Sequence, residues 1–287
     1  MTDIHASANG VEFEPVIGTM AASSATLNPV EENFWSMWSQ FGRGPECALH
    51  VDRDVVWFET PIEVQPYNMV LRCREDEDAD DAIARVFSHF QHRAVPFVWL
   101  VHPSARPADL ESRLERQGFE AVEQMTGMAM DLTNLSASPV VPPGVQIYRV
   151  TPLDDLALYM EFVAARWQVP VAARPHLALI ADTLQIGAAG SPNRGWIAVK
   201  DGMAVAKVLT HDAGNVVGLY GMATRSASRG LGLGRALCMT ALADARKRGR
   251  RLAVLHSTPM ALPLYTRIGF REVGHFSLCA APGQFYS

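Results

Sequence analysis

The stretch that most constrains this chain runs from Val216 to Leu242, VVGLYGMATRSASRGLGLGRALCMTAL. Residues 216–223 are apolar and strand-like, residues 224–228 make a polar loop, and Arg229-Gly230-Leu231-Gly232-Leu233-Gly234 leads directly into a helical pattern. A strand that feeds a glycine loop opening a helix builds an anion site. The first helical turn carries N–H groups without intrahelical partners, and the helix dipole places partial positive charge there. Glycines let the backbone turn tightly and let a phosphate approach without meeting a side chain. Spacing then excludes two common phosphate binders. A dinucleotide fingerprint beginning at Gly230 needs its third glycine at position 235, which is Arg235. A P-loop needs Gly-Lys-Ser/Thr, and that tripeptide is absent.

Arg229, Gly232 and Gly234 instead follow the pattern R/Q-x-x-G-x-G/A. A second pattern lies downstream: a strand at 252–255, a helix at 260–267 carrying Leu264-Tyr265-Thr266-Arg267-Ile268-Gly269-Phe270, and a strand from Phe270 onward. In this order and at this distance the two motifs resemble those of the GNAT acyltransferase superfamily. The resemblance implies an α/β (α+β) fold, a mixed, mostly antiparallel twisted sheet with helices on both faces. It also implies acetyl-CoA as co-substrate, with no metal, and a primary amine of a small molecule as acceptor.

Composition sets wider bounds. Of 287 residues, 48% are apolar and 19% charged, which supports a sizeable core and excludes global disorder. A net charge of -5 gives no electrostatic case for nucleic acid. Cys47, Cys73, Cys238 and Cys279 show no CxxC and no metal spacing, as expected of reduced thiols in a cytoplasmic protein. No basic region followed by an apolar run opens the chain, and no apolar stretch approaches the roughly 20 residues of a membrane helix. The expectation is a cytoplasmic monomer or homodimer with no membrane partner.

The chain reads as two similar halves. A strand is expected at 11–17. Asn28-Pro29-Val30-Glu31 suits a helix start, and Phe34, Trp35, Trp38 and Phe41 follow as a stripe, either core or a substrate wall. Residues 133–144, with three prolines and no apolar period, read as a linker. Leu114-Glu115-Arg116-Gln117-Gly118-Phe119 echoes the Leu264–Phe270 motif. The expected organisation is therefore two GNAT-like units: residues 1–132, degenerate and lacking the CoA loop; a linker at 133–144; and a catalytic unit at 145–287. In the first unit Glu75, Asp76, Glu77, Asp78, Asp80 and Asp81 take the place of the glycine loop, and no glycine lies between Gly44 and Gly118. Carboxylates suit a helix N-terminus but repel a diphosphate.

The resemblance assigns roles in the second unit. Arg229, Gly230, Leu231, Gly232, Leu233, Gly234 and Arg235 would hold the pyrophosphate. Met222, Ala223 and Thr224 would run beside the pantetheine arm and offer an N–H to the thioester carbonyl. Tyr265 would be the general acid that protonates the departing thiolate. Thr258 stands where many members have asparagine, seven residues before the tyrosine. Many members carry a Glu base on the fourth or fifth strand, and the fourth strand here has no acid. His256 is the nearest titratable substitute; Glu161, His176 and His211 are further candidates, and a water relay is another. Trp167, Arg166 and Arg174 fall where the superfamily lines its acceptor site. Two rival readings stay open: a non-catalytic CoA-binding or interaction module, and a protein-lysine acetyltransferase.

Overall fold

The fold is taken from a computed structural model. It describes residues 27–283 apart from 53, 77, 134, 136–137 and 152–153, so the strand expected at 11–17 lies outside the described residues. The first half runs α1 (Leu27–Trp38), β1 (Ala48–Val51), β2 (Val55–Glu59), β3 (Met69–Cys73), α2 (Ala79–Arg93), β4 (Val98–Val101), α3 (Leu110–Arg116) and β5 (Glu120–Asp131). The second runs β6 (Val145–Arg149), α4 (Asp154–Arg166), α5 (Arg174–Thr183), β7 (Asn193–Lys200), β8 (Met203–Ala213) and β9 (Val216–Thr224). It ends with α6 (Leu233–Lys247), β10 (Leu252–Ser257), α7 (Leu262–Ile268) and β11 (Arg271–Ala280). α1 begins at Leu27, so Asn28 falls inside its first turn instead of capping it, and Pro29 sits where a missing N–H costs nothing. α7 begins two residues after the expected start, at Leu262.

All eleven strands form one sheet, in the order β1-β2-β3-β4-β11-β5-β10-β9-β8-β7-β6. Pairing is antiparallel except for β3 with β4 and β9 with β10. At the centre the two halves trade their last strands. β11 lies against β4 of the first half, from Ser277↔Val101 to Ala280↔Val98. β5 lies against β10 of the second, from Leu252↔Asp131 to Ser257↔Thr126. β5 and β11 then pair with each other from Arg271↔Ala129 to Ala280↔Glu120. Each half closes its sheet with the other's chain.

Local sequence explains the pieces. Asp201-Gly202 joins β7 to β8 with both residues at positive φ (+50° and +76°), the two-residue turn whose twist suits a hairpin. β8 is buried along most of its length, as an interior strand covered on both faces must be. α6 packs Leu233, Leu237, Ala241 and Leu242 into one core with Val217, Leu255 and Phe270. α2 does the same for the first half through Ile83, Val86 and Phe90 against Trp99 and Phe119. α1 belongs to the first half by sequence but sits across the second half's strands. Its Asn33 accepts the Tyr220 hydroxyl at 2.6 Å, and its Ser36 meets His211 Nε2 at 2.9 Å. No helix among the described residues is long and apolar enough to cross a membrane.

Candidate active site

The site begins where β9 and β10 part. The strands run in register only from Val216↔Leu252 to Leu219↔Leu255. Past that point β10 stays on β5, with His256 opposite Gly127, while β9 stays on β8. The β9 edge from Tyr220 to Thr224 therefore has no strand on its β10 side, and its polar backbone groups are free for a ligand. β9 also carries a bulge. Leu209 faces Tyr220, but the next registered pair is Lys207↔Ala223, so Gly221 and Met222 together oppose Val208. Gly221 takes φ +54°, a left-handed conformation that glycine adopts without strain.

At the end of β9 the chain passes into the glycine loop. Gly230 and Gly232 hold φ values of +80° and +76°, and Gly232 immediately precedes α6. Both are exposed, and nothing lies within 4 Å of where a side chain would begin on either. The first helical hydrogen bond runs from Ala236 N–H to the Gly232 carbonyl at 3.0 Å, which leaves the preceding amides for an anion. Arg229, Leu231 and Arg235 are exposed around them. Gly234 packs closely: a Cβ there would stand 3.3 Å from the Leu264 side chain of α7, which would have to shift slightly. The bare amides, positive dipole end and flanking arginines fit a diphosphate.

α7 holds Tyr265 at the far side of the opening. The residue is 5% exposed and packs edge-on to Phe270, with ring centroids 5.8 Å apart. Burial, with a smaller contribution from Cys238, raises its pKa, so the phenol is protonated at any physiological pH. Thr258 anchors the start of this helix through its carbonyl, which accepts from Ala261 and Leu262 N–H.

Between these parts lies a chamber of about 240 Å³, walled by both halves of the chain. Phe34, Met37, Trp38 and Phe41 reach it from α1 and the turn that follows, Glu123 and Met125 from β5, and Tyr159, Arg166 and Trp167 from α4 and its end. Lys207, Tyr220–Ala223, His256, Thr258 and Tyr265 complete the reacting side. The expected aromatic stripe is thus a wall of this chamber as well as core, except for Trp35, which donates to the Leu71 carbonyl at 2.9 Å.

The candidate residues divide by position. Met222, Ala223, Thr258, Tyr265 and His256 all face the chamber, as do Arg166 and Trp167. Arg229–Arg235 lie outside it, at the open end of β9, which suits a ligand extending from loop to chamber. His256 is wedged edge-on between Phe34 (4.7 Å) and Phe276 (4.4 Å), and neither ring nitrogen has a hydrogen-bond partner among the described residues. Burial pushes its pKa down to about 3. His211 bonds Asn193 at 2.7 Å and is pushed down to about 4 by burial, a structural post between α1 and the sheet. Glu161 and Arg174 are exposed, and His176 lies 3.7 Å from Glu46; none of the three reaches the chamber.

Sequence reading missed two charged residues here. Glu123 of β5 is half-buried; burial raises its pKa while Arg166 opposes the rise. Lys207 of β8 is 4% exposed, with its ammonium 5.4 Å above the Tyr159 ring and no ion partner among the described residues. Its signal was present: a lone lysine in the otherwise apolar run Ala204–Leu209. A separate cluster, His50, Glu59 and His89, brings together groups of metal-ligand type in the first half. Its carboxylate is already held by Arg93 at 2.9 Å and by His89 at 2.6 Å.

Residues 159–270 match the model of the acetyltransferase (GNAT) family. The fold is shared with a GCN5-related N-acetyltransferase from Kribbella flavida (17% identity, 89% of this chain and 96% of that one, TM-score 0.67). It is shared also with a GCN5-related N-acetyltransferase from Sphaerobacter thermophilus (16%, 83% and 84%, TM-score 0.60). A tandem GNAT protein from the clavulanic acid biosynthesis pathway matches across both halves (14%, 91% and 96%, TM-score 0.59). No curated protein matches the sequence.

Proposed function

We propose, from the match of residues 159–270 to the acetyltransferase (GNAT) family, that this chain transfers an acetyl group from acetyl-CoA to a primary amine of a small, largely apolar molecule. The observation that carries the reading is the continuity of three features along β9: the open glycine loop, the unpaired strand edge and the chamber. When bound, acetyl-CoA supplies a thioester ready for attack by an amine. Arg229 through Arg235 hold its diphosphate by backbone amides and flanking charge. Met222, Ala223 and Thr224 bond its arm through the free edge of β9, with one N–H directed at the thioester oxygen, where negative charge develops. Thr258 borders the same path. Tyr265 gives its hydroxyl proton to the departing thiolate. The acceptor amine attacks directly, and no acyl-enzyme forms.

In this reading residues 1–132 form a unit that does not bind CoA, 133–144 a linker and 145–287 the catalytic unit. The first unit contributes walls: α1 and β5 enclose the acceptor space. That enclosure favours a small acceptor over a lysine on a folded protein, and its apolar aromatic lining favours an amine with an apolar body. Calorimetric titration of acetyl-CoA into the protein is the test. One site per chain, weakened about 100-fold by Gly232→Glu, is expected; two sites would return the first unit to catalysis, and no binding would end the enzymatic reading.

A further inference from the structure

We propose that Lys207 is the catalytic base, the group that takes the proton from the acceptor amine. This rests on the acetyl-transfer reading above and adds a residue that the family motifs do not supply. Its position is the first argument. Lys207 stands on β8 opposite Ala223, across from the bulge of β9. Its Nζ lies 2.7 Å from where a Cβ on Gly221 would be, so the glycine leaves room for the amine. The strand edge beside it is the one read above as holding the thioester. A base at this point is next to the carbon under attack.

The second argument is charge. From α4, Arg166 faces Lys207 as a like charge and Tyr159 lies beneath it as a neutral ring. The other titratable walls among the described residues are Tyr67 just before β3, Glu123 from β5, Tyr220 from β9, His256 from β10 and Tyr265 from α7. The histidine is neutral, and burial keeps the three phenols protonated. The one carboxylate, Glu123, has Arg166 as its near charge and makes no ion pair with Lys207. An ammonium buried without a counter-ion sheds its proton readily. Burial, aided by Arg166, brings Lys207 down to about 7. His256, near 3, is too weak a base to draw a proton from an alkylammonium or from the attacking amine. We assign it to the wall.

The step balances. The acceptor nitrogen forms a bond to the thioester carbon, and the carbon–sulfur bond breaks. Lys207 Nζ takes one N–H proton, and Tyr265 gives its hydroxyl proton to the thiolate. The products are the N-acetylated amine and free CoA. Lys207 is left protonated and Tyr265 as phenolate, and proton exchange with water restores both.

Two measurements test this. In the first, all amines are trace-labelled with acetic anhydride across pH 5–11, with and without CoA, and labelling is read by mass spectrometry. Lys207 is expected to titrate about three units below exposed lysine (~10.4) and to be shielded by CoA. Titration near the ordinary value, or indifference to CoA, overturns the assignment. In the second, Lys207→Met and Lys207→Arg are compared with wild type, using acetyl-CoA and phenethylamine, hexylamine and tryptamine as probe amines. Both variants should bind acetyl-CoA as wild type does and lose about 10²–10⁴-fold in kcat. The rise of wild-type kcat through pH 7 should vanish in both. Met adds no buried charge, so it should fold at least as well. Wild-type turnover in Lys207→Met, with binding intact, overturns Lys207 alone. Failure of the wild type to bind acetyl-CoA or to acetylate any probe overturns the functional reading and this one with it.

Discussion

α2 and α6 occupy corresponding places in the two halves, each following a strand that pairs in parallel with the strand after the helix. Their starts are opposites. α6 opens on Gly232, exposed and left-handed, with space above it. α2 opens on Asp78 with Asp80 and Asp81 in its first turn, and Arg113 of α3 closes over Asp80 at 2.7 Å. The strand gaps differ as well. β3 and β4 pair only at Met69↔Val98 and Val70↔Trp99, much as β9 and β10 part after Leu219. In the first half the gap is bridged by backbone: Arg106 N–H donates to the Cys73 carbonyl at 2.9 Å. In the second it stays open. The same framework can thus carry a site or seal it, and the difference lies in a few residues at one end of the sheet.

The third difference is the most consequential. Phe270 N–H bonds the Tyr265 carbonyl at 3.1 Å, and Phe119 N–H bonds the Leu114 carbonyl at 3.0 Å. Gly269 and Gly118 precede those phenylalanines with φ +120° and +85°. Leu114, fully buried, therefore stands where Tyr265 stands. Removing the phenol from the second half should have the largest effect of the changes that compare the two halves. Tyr265→Phe is expected to lower kcat by about 10²–10⁴-fold with acetyl-CoA affinity unchanged. A kinetic comparison beside calorimetry checks it, and unaltered kcat would remove Tyr265 from the chemistry. The reciprocal Leu114→Tyr should gain nothing, because its half lacks the open loop and gap.

Next in size is the loop. Gly232→Glu imitates the acidic start of α2. It sets a carboxylate against a diphosphate, a like-charge contact worth several kcal/mol, and about 100-fold in affinity is expected to go. Backbone strain is separated by Gly232→Asn, since asparagine tolerates the left-handed region. If both variants bind acetyl-CoA equally weakly, strain and not charge governs the loop.

These contrasts also mark what sequence could show. The strand, glycine loop and α6 are neighbours in the chain, so their signals of apolar run, glycine spacing and helical period are local, and they were legible. So was the acidic substitute at 75–81. The echo at Leu114–Phe119 was legible without its register, because leucine and glycine recur nearby and only the hydrogen bonds fix which residue meets the phenylalanine. The strand exchange had no local sign at all: β5 and β10 pair over a separation of about 120 residues, and nothing in either strand names its neighbour. Glu123 was missed for that reason, since it enters the second half's chamber only through the exchange. Lys207 was missed because its importance depends on the missing counter-ion, which only the packing of α4 and β5 reveals.

A smaller effect is expected where the first half supports the second. Phe34 is 3% exposed, and its ring meets His256, Tyr220 and Trp38. Phe34→Ala should cost about 3–5 kcal/mol of stability, seen as a lower urea midpoint, and should raise KM for the probe amines more than it alters binding of acetyl-CoA. Equal losses for both ligands would mean that α1 braces the sheet without shaping the acceptor space.

The smallest effect tests whether the acidic start of α2 is an active barrier or merely what remained once no ligand had to bind. Asp81 lies in the first helical turn, where a carboxylate is favoured by the dipole by about 0.3–1 kcal/mol. Asp81→Asn should lower stability by no more than that. Asp80→Asn should lose slightly more, because Arg113 is left with Asp109 alone at 2.9 Å. Neither change, nor both together, should create a second acetyl-CoA site. Removing repulsion restores neither the glycines that free the amides nor the gap that Arg106 closes. A second calorimetric site in the double variant would mean that charge alone had silenced the first half. With one site still, the carboxylates only favour the start of α2 through its dipole, and the backbone keeps acetyl-CoA from the first half.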